Sequence, residues 1–331
     1  MHPYPLEGPV RVKILIASPI DPQTVVALER DHDVRLAVGV SPFELQQALA
    51  DREVAVLRSG VSFSADVLSQ ARDLRLLLRA GSGLDNIDVD YAHEHGIRVV
   101  RVPGMSAPPV AEFTFALLLS LARKVALADR LIRQGHWPKP QLGGALLTGK
   151  TLGIVGAGNI GGLVGQMGAA WGMRVLGCVG NPSDAIAGQL KERGIALTGF
   201  DQVVAEADFL CVHVPLDETT HHLIDASVLS AMRPGSLLIN MARGGVVDEK
   251  ALYDELTTGS TVAGAGLDVH EEEGEGVVSR FAELDTVVMT PHIGAMALDS
   301  QRLIGERVTE LLRAFTEGRL DEEETDLEHV A

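Results

Sequence analysis

Aromatic side chains are scarce in this chain: 2 Trp, 3 Tyr and 8 Phe make up 4% of 331 residues, although apolar residues as a whole reach 46%. Such an aliphatic composition fits a soluble α/β protein, and the length suffices for two ordinary domains, each with its own core. Cysteine is nearly absent. Cys178 and Cys211 lie inside apolar, strand-like runs, which excludes a disulfide framework and points to a reducing compartment, the cytoplasm. Positive charge is also in deficit, with 28 Lys and Arg against 45 Asp and Glu and a net charge of −17. That balance argues against a duplex nucleic-acid partner, which needs clustered cations. Any anion site must therefore be made locally, by an arginine or by the free N–H groups of a helix start. No stretch reads as a membrane span. The longest uncharged run, Thr151 to Met173, is long enough but holds eight glycines. The first residues lack the basic, apolar and small-residue pattern of an export signal, and the acidic run from Asp321 is expected to be a solvated tail.

What the chain has in quantity is alternation. From Val12 to Arg101, the apolar runs KILIAS, VRLAV, VAVL, LRLLL and IRVV alternate with amphipathic stretches, a βαβ rhythm that implies a parallel sheet. Pro103-Gly104 and Pro108-Pro109 end it, and a long apolar-rich helix is expected from Val110 to about Gln134. A second alternating block runs from Thr151 to about Thr290, with strands at LGIV, RVLGCV, FLCVHV, SLLIN, VAGAGLDV and TVVMT. The last helix, Ala297 to about Glu317, has apolar positions at helical spacing and is expected to return to the first block. The expected fold is α/β, with two doubly wound parallel-sheet domains: a Rossmann nucleotide-binding domain inserted in a flavodoxin-like substrate domain. The substrate domain takes residues 1–103 and 293–331. The nucleotide domain takes 104–292 and includes a helical arm at about 110–135.

The second block opens with Gly156-Ala-Gly158-Asn159-Ile160-Gly161, a G-x-G-x-x-G spacing between a strand and a helix. The first glycine permits a tight turn, the second lets backbone approach a pyrophosphate, and the third lets helix and strand pack closely. The next strand should end in an acid if an NAD ribose is held by its two hydroxyls. Instead Cys178-Val-Gly-Asn181-Pro-Ser-Asp stands there, with no base to receive a 2′-phosphate either. NAD and NADP both remain open, NAD slightly favoured.

Arg243, Glu273 and His292 each follow a strand-like run. Hydride transfer to a 2-keto acid leaves a developing alkoxide, so the reaction needs a proton donor and a cation for the carboxylate and carbonyl. A histidine has the right proton affinity, a neighbouring carboxylate favours its charged form, and an arginine fork matches a carboxylate. Surface or phosphate-facing roles are the alternatives that spacing alone leaves. Asp85, Asn86 and Asp88 precede a helix, which suits Asp88 as its cap. His93 with His95, and His221 with His222, share no face, so no metal site is expected.

In the motifs RAGSGLDNID, PGMSAPPVAE, GKTLGIVGAGNIG, VHVPLDETT, INMARGGVVDEKAL, GAGLDVHEEE and TPHIG, taken in that order, the chain resembles the D-isomer-specific 2-hydroxyacid dehydrogenase family from about residue 54 to 313. The resemblance implies an NAD(P)-dependent oxidoreductase of small 2-hydroxy or 2-keto acids with D stereospecificity. It implies that Arg243, Glu273 and His292 are the catalytic set and that Ser82 and Gly83 N–H groups, with Arg243, hold the substrate carboxylate. Along the cofactor it places Gly156, Gly158, Asn159, Ile160, Gly161, Asn181, His213, Pro215, Thr220, Ala242, Arg243, Asp268 and His292. It also implies a homodimer formed through the helical arm. The chain departs from the family pattern in having Gly274 where Pro is usual after the glutamate, which leaves Glu272 as an alternative to Glu273. Ser106 replaces a usual Asn, and Arg58-Ser59-Gly60 lacks the second base that would favour a phosphorylated substrate. The absent acid after the second nucleotide strand is a further departure. Two other functions use the same scaffold: a dinucleotide-sensing corepressor, and a dehydrogenase of another oxyanion such as phosphite.

Overall fold

The computed structural model describes residues 11–320, so the acidic run from Asp321 lies outside the described residues. Two compact units divide after Ser106 and again after Ala295.

Unit one runs β1 (Lys13–Ile16), α1 (Pro22–Asp31), β2 (Asp33–Leu36), α2 (Pro42–Leu49), β3 (Val54–Leu57), α3 (Ala65–Leu68), β4 (Leu76–Arg79), α4 (Val89–Glu94) and β5 (Arg98–Arg101). The strands form one parallel sheet ordered β2-β1-β3-β4-β5, the flavodoxin-like arrangement. The VAVL of β3 and the LLLR of β4 are buried throughout, as expected of strands covered on both faces. Helix starts are written locally. Asp21 caps α1 ahead of Pro22, and Ser41 and Glu44 form a reciprocal capping box on α2. Asp88 accepts the Tyr91 N–H at 3.0 Å and caps α4.

Unit two begins with α5 (Ala107–Ala122) and α6 (Val125–Arg133), where a single helix is expected from the sequence. The break is at Lys124, whose φ of 55° is left-handed. The segment after α6 explains it: the Ala145 N–H donates to the Ala122 carbonyl at 2.8 Å and takes the acceptor that another helical turn would use. Gly144 lies so close to that carbonyl that a Cβ would collide with it. The chain continues through β6 (Thr151–Val155), α7 (Asn159–Ala170), β7 (Arg174–Cys178), α8 (Asp184–Glu192), β8 (Ile195–Leu197), α9 (Phe200–Glu206), β9 (Phe209–Val212), α10 (Ala226–Ala231), β10 (Ser236–Asn240), α11 (Glu249–Thr258), β11 (Val262–Leu267) and β12 (Val287–Met289). The seven strands are parallel in the order β12-β11-β10-β9-β6-β7-β8, so the winding reverses between β6 and β9. In such a sheet, ligands bind outside the carboxyl ends of the strands at that reversal.

The last helix, α12 (Leu298–Thr316), is part of unit one. Its Ile304, Val308, Leu311 and Leu312 are buried in one cluster with Ile14, Val54 and Leu76. Gly305 lets it approach Thr24 of α1 more closely than any side chain would permit. Among the described residues, no helix is long and apolar enough to cross a membrane.

Candidate active site

At the reversal point the backbone does the shaping. Gly156, directly after β6, has φ 91°, and a Cβ there would lie 2.8 Å from the His213 carbonyl group that follows β9. Only glycine meets both demands. The Gly156 and Ala157 N–H groups both donate to the Cys178 carbonyl, at 3.1 and 2.9 Å, which pins the turn to the end of β7. Gly161 packs against the Gly156 carbonyl, where a Cβ would collide with it. Gly158 is the N-cap of α7 and offers no side chain, so the helix opens with uncapped N–H groups from Asn159, Ile160 and Gly161. Free donors and the positive end of a helix dipole suit a pyrophosphate. His213 donates its N–H to Val155 at 2.8 Å, while both its ring nitrogens are buried without a partner. Burial pushes its imidazole down to about 3, so the ring is neutral. An unpartnered ring beside an uncapped helix start fits a bound dinucleotide. Thr220 bonds the Pro215 carbonyl at 2.7 Å and closes the turn around Asp217. Asn181 is exposed beyond β7.

The other half of this edge carries ionisable side chains. His292, after β12, places Nδ1 3.0 Å from Oε2 of Glu273, after β11. A carboxylate can only accept, so Nδ1 carries the proton and Nε2 is the ring atom left to exchange one. Burial raises the Glu273 carboxyl, but the hydrogen bond and charge of His292, with the His270 N–H, outweigh it and hold the group below its ordinary value. Glu272 forms no hydrogen bond or ion pair among the described residues, so the geometry pairs Glu273 with the histidine. His292 sits at φ 55°, a left-handed conformation that costs a non-glycine residue about 1–3 kcal/mol and persists only where surrounding structure enforces it.

Asp268 enforces it. Its buried carboxylate accepts Ile293 N–H at 2.9 Å, Gly294 N–H at 2.8 Å and Thr290 Oγ1–H at 2.6 Å, and its carbonyl accepts His292 N–H at 2.7 Å. Asn240 does the same for the arginine turn: its side-chain oxygen takes the Ala242 N–H and its amide donates to the Arg243 carbonyl, each at 3.0 Å. Arg243 Nη1 donates back to the Ala242 carbonyl at 2.8 Å. Neither Asn240 nor the scaffolding done by Asp268 is anticipated from the sequence. A polar residue closing a buried apolar run, as in SLLIN and GLDV, is the signal that marks both. In unit one, Ser82 lies in the loop after β4 with Oγ 3.2 Å from Ser106 Oγ, and the neighbouring Gly83 lies in the same loop.

A seven-stranded parallel sheet with a glycine-rich turn at its reversal point, and an imidazole–carboxylate pair three and four strands further along the same edge, is the arrangement of a dinucleotide-dependent oxidoreductase. Comparison with known proteins narrows the class. Residues 115–294 match the family model described as the D-isomer specific 2-hydroxyacid dehydrogenase NAD binding domain. A hydroxypyruvate reductase of Thermotoga maritima is 37% identical over 91% of this chain and 97% of its own. A D-3-phosphoglycerate dehydrogenase of Methanocaldococcus jannaschii is 36% identical over 96% of this chain, which spans only 60% of that longer protein. The solved D-lactate dehydrogenase of Aquifex aeolicus, complexed with NAD and lactic acid, superposes with a TM-score of 0.80 at 31% identity, covering 94% of this chain and 97% of that one. The chain belongs to the D-isomer specific 2-hydroxyacid dehydrogenase family. It is an NAD-binding oxidoreductase of 2-hydroxy acids.

Proposed function

We propose that the enzyme reduces a small, unphosphorylated 2-keto acid with NADH, with Arg243, Glu273 and His292 as its catalytic set. The observation that carries this reading is the 3.0 Å contact between His292 and Glu273, on strand-end loops of the sheet that also holds the Gly156 turn. Arg243 binds the substrate carboxylate and polarises the carbonyl. The nicotinamide, when bound, supplies the hydride. His292 passes its Nε2 proton to the carbonyl oxygen as negative charge develops there, and Glu273 stabilises the imidazolium that does so. The uncapped start of α7 holds the pyrophosphate.

Two features support a small substrate: Arg58 has no second base in Arg58-Ser59-Gly60, and the hydroxypyruvate reductase relative matches over nearly its full length. NADH is favoured over NADPH because residues 179–183 offer no cation to receive a 2′-phosphate, and Asp184 adds a negative charge to the first turn of α8. A homodimer is supported by α6, which has no buried residue and exposes Val125 and Ile132, with Trp137 exposed just beyond it. A reduced, cytoplasmic setting is supported by the two free, buried cysteines. Following absorbance across a panel of 2-keto acids, with NADH and NADPH in parallel, tests the activity. Turnover of glyoxylate or hydroxypyruvate with NADH is expected, and no turnover of any keto acid sinks the proposal. Sedimentation should give twice the chain mass, falling to one in Ile132→Glu.

A further inference from the structure

One residue outside the catalytic set touches the loops on which all three of its members ride. We infer that His270 is a positioning residue: its Nε2 bond to the Thr290 carbonyl ties the Glu273 loop to the strained turn that carries His292. The inference rests on the dehydrogenase reading and deepens it.

The contacts of His270 run in three directions. Its backbone N–H donates to Glu273 Oε1 at 3.2 Å, on the oxygen that His292 does not use. Its carbonyl lies against Gly244, so closely that a Cβ on Gly244 would collide with it, and the turn carrying Arg243 therefore seats on the same peptide. Its ring Nε2 is 3.0 Å from the Thr290 carbonyl oxygen. An oxygen lone pair only accepts, so Nε2 carries the ring proton. That same carbonyl accepts the His292 N–H at 3.1 Å. Both lone pairs of Thr290 are thus engaged, one by the catalytic histidine's own backbone and one by His270.

The first two contacts belong to backbone and are kept in any substitution that retains the N–H. The third belongs to the side chain alone. Nδ1 of the ring is buried and makes no hydrogen bond; Glu249 Oε1 stands 4.0 Å away, beyond hydrogen-bond reach, and accepts the Glu271 N–H at 2.9 Å. Replacing His270 by Phe therefore removes one made hydrogen bond while keeping most of the ring's volume. The expected consequence is a His292 turn that wanders relative to Glu273, and misplacement of a proton donor lowers the rate of the step it serves.

The bond is separated from packing by a matched pair. The amide of Gln reaches where Nε2 stands, whereas that of Asn stops near Nδ1. We expect His270→Phe and His270→Asn to lower kcat for keto-acid reduction about tenfold with KM for NADH within about twofold, because the Gly156 turn is untouched. His270→Gln should stay within about threefold of the parent. A Phe variant with parental kcat overturns the inference. So does a Gln variant that falls as far as Asn, a comparison that stands even if the Phe variant does not fold. A parent enzyme that reduces no keto acid refutes the dehydrogenase reading instead. Positioning is then read from the His292 imidazole in ¹H–¹⁵N spectra, which should change in the Asn variant and persist in the Gln variant; an unchanged Asn spectrum overturns it.

Discussion

The two halves of the carboxyl edge of the nucleotide sheet are built by opposite means. After β6 and β9 the site is made by omission: Gly156, Gly158 and Gly161 remove side chains so that backbone can turn, approach and donate. After β10, β11 and β12 it is made by addition. Asp268, His270 and Glu273 each spend side-chain or backbone polar groups on another loop of the same edge, and Asn240 fixes the turn that carries Arg243. The first half is written in one short glycine-rich segment seated on Cys178 and His213, whereas the second needs three separate strand ends brought together. Cofactor binding and proton transfer should therefore respond to different substitutions.

The strongest test of that separation is His292→Asn. It should lower kcat at least about 10²-fold, some 2.7 kcal/mol of barrier, while the NADH dissociation constant stays near its parental value by fluorescence titration. Loss of NADH binding as well would merge the two halves. Conversely, Gly161→Ala drives a methyl group into the Gly156 carbonyl and should cost about 1–3 kcal/mol in urea denaturation, with weakened NADH binding. An unchanged midpoint would mean that the turn relaxes freely.

Smaller effects sharpen the polar half. Proton transfer needs the His292 ring held with Nε2 toward the substrate, and the Glu273 bond to Nδ1 holds it there; Glu273→Gln should lower kcat about tenfold. Glu272→Gln should leave kcat near the parent, and the reverse result would reassign the carboxylate. Because the Glu273 carboxyl is held below its ordinary value, the ion pair's contribution to stability is present above the unfolded-state value and is lost as pH falls through the folded one. The smallest effect is expected at the backbone half's missing acid. Val179→Asp should raise the NADH over NADPH preference in kcat/KM by about tenfold or less, and no change would mean that the ribose lies elsewhere.

The same division explains what could be read from the sequence. Among the described residues, apolar runs announced eleven of the twelve strands, most plainly those covered on both faces, which read as continuous aliphatic stretches. Only Ile195–Leu197, three residues at the sheet edge, is too short to stand out. The glycine turn was legible because its rule is local. The two-helix arm was not: the break at Lys124 has neither glycine nor proline, and is caused by residues 144 and 145 arriving from beyond the arm. Adjacent Glu272 and Glu273 are equally acidic on paper, and only the loop's conformation turns one of them to His292. His270 was invisible for the same reason, since its partner Thr290 is twenty residues away.

The return of α12 to unit one bears on the order in which this protein acquires structure during synthesis. The first five strands emerge early, but the face that Ile304, Val308, Leu311 and Leu312 will cover stays open until all of residues 107–295 have been made. The inserted unit has its complete sheet before that, so it can fold while its host waits. Until α12 arrives, Ile14, Val54 and Leu76 present aliphatic surface to the cell. The apolar face left uncovered longest during synthesis is therefore on the oldest segment of the chain.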